Sequence, residues 1–62
     1  MDGWATVRTL PDLAAQITLA DQLSARGFST MTMNVDAEGR YPLRVAQYRL
    51  QEALWVIQRD RL

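Results

Sequence analysis

The 62-residue sequence has no cysteine, no histidine and no lysine, and only three glycines and two prolines. Each absence removes a class of function. Without cysteine there is no disulfide to staple a small fold, no thiolate metal site and no cysteine nucleophile. Without histidine, the commonest general base and the commonest metal ligand are both missing. The seven carboxylates are scattered singly, without EF-hand spacing, and neither a Gly-rich phosphate loop nor a serine elbow is present. The pattern points to a non-catalytic binding module with no cofactor and no metal. No apolar run approaches the roughly 20 residues that a membrane span needs. The N-terminal stretch MDGWATVR has neither a basic leader nor an apolar signal core. The expected location is the cytoplasm for the chain as it stands, or the periplasm if it belongs to a larger envelope protein.

A chain of this length makes one domain, residues 1–62. Domains of about 60 residues bury only about 60% of their unfolded surface. With no disulfide or metal to help, self-association, most simply as a homodimer, is an expected source of stability. The formal net charge is zero, but the charge is unevenly spread. Residues 1–39 carry Arg8 and Arg26 against Asp2, Asp12, Asp21, Asp36 and Glu38. Residues 40–62 carry Arg40, Arg44, Arg49, Arg59 and Arg61 against Glu52 and Asp60. That every basic residue is arginine fits a GC-rich genome, or recognition through guanidinium groups.

Alternation and turn chemistry predict the order β-α-β-β-α. Residues 4–10, WATVRTL, read as a strand with Ala5, Val7 and Thr9 on one side and Trp4, Thr6, Arg8 and Leu10 on the other. A helix follows over about 11–26, with Pro11 in its first turn and Thr9-x-x-Asp12 at capping-box spacing. Its core stripe is Leu13, Ile17, Ala20 and Leu23, with Gln16 and Ser24 beside it, and Gly27 is its left-handed stop. Residues 28–35 and 40–47 form a hairpin about Asp36-Ala-Glu-Gly39, with Pro42 confined to a strand start, a bulge or an edge. A second helix over about 49–61 uses Leu50, Ala53, Leu54 and Ile57 as its core stripe and leaves Trp55 roughly opposite.

The fold class is therefore α+β: a three-stranded sheet with both helices packed on one face. Val7, Met31, Met33, Val35, Leu43 and Val45 are expected inside. Trp4, Thr6, Arg8, Thr30, Thr32, Arg44 and Tyr48 are expected on the open face.

This layout, together with Val7-Arg-Thr-Leu10, Asp12, Leu19-Ala20, Leu23, Arg26-Gly27-Phe28, Tyr41-Pro-Leu-Arg-Val-Ala-Gln-Tyr48 and Glu52-Ala53, resembles the SPOR domain. SPOR domains are bacterial modules that bind septal peptidoglycan. Arg8 stands where that family usually has a glycine, Leu10 where it has an aromatic, and Ala46-Gln47 where it has Gly-Pro. The resemblance implies glycan binding, with Trp4 stacking on a sugar and Arg8, Thr30, Thr32 and Arg44 donating hydrogen bonds to it. A second reading is a free-standing protein-interaction or inhibitor module of the phage or plasmid type. It would use Trp55 and Leu62 as partner or dimer contacts, together with the open strand edges. Nucleic-acid binding through the C-terminal arginines ranks last, because the net charge is zero and no aromatic stacking motif is present.

Overall fold

The computed structural model describes residues 3–62. The chain folds as β1 (Trp4–Leu10), α1 (Leu13–Ala25), β2 (Thr30–Thr32), β3 (Tyr41–Ala46), a 3₁₀ turn (Gln47–Arg49) and α2 (Leu50–Asp60). The sheet is antiparallel in the order β1-β3-β2, so β3 is central. One core joins Val7, Leu10, Leu43 and Val45 of the sheet to Leu19, Ala20 and Leu23 of α1 and to Ala53, Val56 and Ile57 of α2. Both helices therefore lie on one face, as the apolar stripes require, and the α+β class holds.

Local chemistry fixes the ends of the elements. Asp12 caps α1, its side chain accepting the Ala15 N–H at 2.7 Å, so the helix starts at Leu13 rather than at Pro11. At the other end the N–H groups of Phe28 and Gly27 donate to the carbonyls of Leu23 and Ser24, with Gly27 at φ 88°. This is the Schellman closure that glycine permits. The hairpin loop is likewise as expected: Gly39, at φ 78°, donates to the Asp36 carbonyl, and the Asp36 side chain accepts from Glu38 N and Arg40 N.

Several side chains lie on a different side from the one alternation predicts. A bulge between Thr6 and Arg8 reverses the parity of β1. Leu10, expected outside, is thereby buried, and Arg8 pairs with Leu43 on the helix side. In β2, Thr30 and Thr32 pair with the enclosed Val45 and Leu43, whereas Met31 pairs with Arg44 on the open side. Met31, Met33 and Val35 are thus not the inner layer; Phe28 takes that role, and Val35 is half exposed. Both helices are rotated slightly from the expected stripes. Leu13 and Ile17 of α1 and Leu54 of α2 are exposed, and Gln16, Leu19 and Val56 are buried instead.

The burial of Gln16 on α1 is matched to Pro42 on the sheet. The Met33 N–H donates to the Pro42 carbonyl at 3.3 Å, but proline has no N–H to return to the Met33 carbonyl. Gln16, only 1% exposed, supplies the missing donor: its Nε2 gives one hydrogen bond to the Met33 carbonyl at 3.1 Å and one to the Pro42 carbonyl at 2.7 Å. A proline in the central strand is tolerated because a helix side chain completes the ladder.

Candidate functional site

The sheet face away from the helices is built by the cross-strand row Thr6–Arg44–Met31 and, next to it, by Trp4 opposite Ala46. Beyond Ala46 the chain turns through Gln47–Arg49, which brings Tyr48 over the same face. Gly3, Trp4, Ser29, Ala46 and Tyr48 enclose an open recess of about 230 Å³. The Gln47 N–H donates to the Gly3 carbonyl at 2.9 Å and holds the two walls together. Drug-sized ligands fill pockets of about 300–1,000 Å³, so this recess suits a single ring or one side chain. Trp4 is 39% exposed and Tyr48 82% exposed. Ser29 and Ala46 complete the lining with Gly3.

Arg44 occupies the middle of this face. Arg8, Arg26, Arg49 and Arg59 each donate side-chain hydrogen bonds within the fold. The Arg44 Nε, by contrast, is enclosed with no acceptor among the described residues. An enclosed donor without a partner is rare in folded proteins and is a feature worth relating to function. No group of three acidic residues converges anywhere among the described residues.

Of the residues expected on this face, Trp4, Thr6, Arg44 and Tyr48 are here. Arg8 is not: its Nη1 donates to the Leu62 main-chain oxygen at 2.9 Å, tying β1 to the end of α2. Thr30 and Thr32 are not either, because the β2 register turns them toward the helix side. Ser29 and Met31 complete the surface. Tyr48 was legible as an open-face residue from its parity with Arg44. Ser29 and Met31 were not, because the register of a three-residue strand is set by its neighbours.

The second expected surface, on α2, is only partly assembled. Leu62 packs against the core rather than standing free of it. Trp55 is 58% exposed, and the Arg59 guanidinium lies 4.7 Å above its ring. Arg59 in turn grips Asp60 through Nε at 2.9 Å and Nη2 at 3.1 Å, and Arg26 of α1 reaches the same carboxylate at 2.8 Å. Hydrogen bonds from Arg59, then Arg26, lower the Asp60 pKa to about 2. Arg49 lowers the pKa of Glu52 in the same way, while it also donates to the Gly27 carbonyl and lies 4.1 Å from the Phe28 ring centre. Of the five arginines of the C-terminal half, Arg49 and Arg59 are engaged within the fold in this way. Compared with known protein families, curated proteins and solved structures, the chain gives no match.

Proposed function

We propose that the chain is a non-catalytic binding module whose open sheet face takes a sugar ring, with peptidoglycan glycan strands as the ligand. The observation that carries this reading is the recess of about 230 Å³ walled by the exposed rings of Trp4 and Tyr48. Aromatic faces are electron-rich and meet the polarised C–H groups of a pyranose, while its hydroxyls need hydrogen-bonding neighbours. Ser29 lines the recess, and Arg44 lies on the same sheet face beside it. The resemblance to SPOR domains supports the same ligand class, and the β-α-β-β-α order agrees with it.

Titration of purified peptidoglycan glycan strands into the protein tests the proposal. Tyr48→Ala is expected to weaken binding by at least about tenfold, equivalent to about 1.4 kcal/mol, with an unchanged urea midpoint. Wild-type protein that leaves the glycan unbound, or a Tyr48→Ala variant that binds equally well, would contradict it. A protein partner is the second reading, favoured by Trp55 and Leu54 lying exposed on α2. Binding that fails on glycan but is captured by a protein and lost in Trp55→Ala would select it.

A further inference from the structure

The two edges of the sheet are unequal. On β1 the bulge between Thr6 and Arg8 breaks the regular row of main-chain groups, as edge strands commonly do to avoid pairing. β2 has no such device. The segment 28–35, FSTMTMNV, contains no charge, no proline and no glycine. Because Met33 directs its N–H at β3, main-chain alternation turns the N–H and C=O groups of Thr32 and Thr30 outward, away from the sheet. The helix layer beside this edge also exposes apolar side chains. Arg26 bridges to Asp60 and so marks the flank of α1 that faces α2. Leu13 and Ile17 lie on the opposite flank, beside β2, and are 51% and 49% exposed.

We infer that β2 pairs edge to edge with β2 of a second copy, antiparallel about a two-fold axis at Met31. The occupant follows from the chemistry of the edge. An outward row of donors and acceptors is completed by another strand, and antiparallel pairing about a two-fold makes the row its own complement. Centred on Met31, Thr30 of one copy meets Thr32 of the other and both exchange hydrogen bonds. An axis perpendicular to the sheet keeps all four helices on one side. It also brings the Leu13–Ile17 flanks of the two α1 helices toward each other across the seam. A formal net charge of zero opposes no such contact. The resulting six-stranded sheet carries both Trp4–Tyr48 recesses on its other side, so one extended ligand can engage two sites. The pairing itself does not depend on what those recesses bind.

Sedimentation equilibrium of the whole chain from low to high micromolar concentration is the test, with circular dichroism to confirm folding. Wild type is expected at twice the 7.1 kDa chain mass. Met31→Lys places like charges at the axis, and Ile17→Lys charges the flank without touching the ladder. Both are expected to shift the protein to monomer while it stays folded, whereas Trp55→Ala remains a dimer. A wild-type monomer at every concentration overturns the inference, as does a dimer that survives Ile17→Lys. A dimer dissociated by Trp55→Ala would place the contact on α2 and overturn it equally.

Discussion

Consecutive residues of β3 face two different environments. Leu43 and Val45 are wholly enclosed beneath the helices, while Arg44 and Ala46 lie on the side the helices leave bare. The covered face is explained by burial alone. A sheet face that serves only to contact water is expected to alternate to polar residues. This one sets Trp4, Met31 and Ala46, with Tyr48 above them, among the polar Thr6, Arg44 and Ser29. Exposed aromatic side chains gathered on one face are candidates for a binding surface. On the reading proposed above, the difference between the faces is a division of labour: one holds the fold and the other takes the ligand.

The largest expected effect is on the covered face. Leu43→Ala removes a fully enclosed side chain from the central strand. Large-to-small changes of this kind cost about 2–5 kcal/mol. A urea midpoint close to wild type would show that the two faces do not differ in the way described.

A smaller effect is expected at Gln16. Gln16→Leu keeps the helix but leaves the Met33 carbonyl without a donor, at a cost of about 1–3 kcal/mol. Pro42→Val restores an N–H at that point in the ladder. The same Gln16→Leu change is therefore expected to cost less in the Pro42→Val background. A double-mutant cycle measures the coupling, and strictly additive effects would refute the pairing of these two residues.

Both members of that pair were visible in the sequence: Pro42 as an anomaly in a strand, Gln16 as a polar neighbour of an apolar stripe. Their relation was not visible, because it spans 26 residues and depends on how α1 is turned over the sheet. The element order, the Gly27 stop and the Asp36–Gly39 turn were legible because they rest on local chemistry. The β1 bulge was not, and it carried Arg8 and Leu10 to the side opposite their predicted one. For the same reason the candidate site was half legible. Trp4 and Arg44 keep the parity of unbroken strand segments, whereas Thr30 and Thr32 depend on the register of a short edge strand.

The Arg26–Asp60–Arg59 cluster adds a pH-dependent contribution on the helix layer. The Asp60 pKa falls from 3.8 to about 2 on folding, so its ionised form is favoured in the folded state. That stabilisation is present above pH 4 and lost as the pH falls through about 2. Because the cluster is on the surface, the effect is small and screened by salt. Asp60→Asn is expected to unfold more readily than wild type at neutral pH, and the gap to close toward pH 2. A gap that persists at pH 2 would assign Asp60 a role other than its charge.

The smallest effect on stability is expected on the open face. Tyr48→Ala exposes no core and is expected to stay within about 0.5 kcal/mol of wild type in urea unfolding.

The chain has two tryptophans, one on each candidate surface, Trp4 on the open sheet face and Trp55 on α2. Their indole N–H resonances, followed while peptidoglycan glycan strands are titrated into isotope-labelled protein, therefore test the division of labour most directly. The account predicts that the Trp4 resonance moves progressively with ligand while the Trp55 resonance stays in place. Movement of Trp55 alone, or of neither, would contradict it.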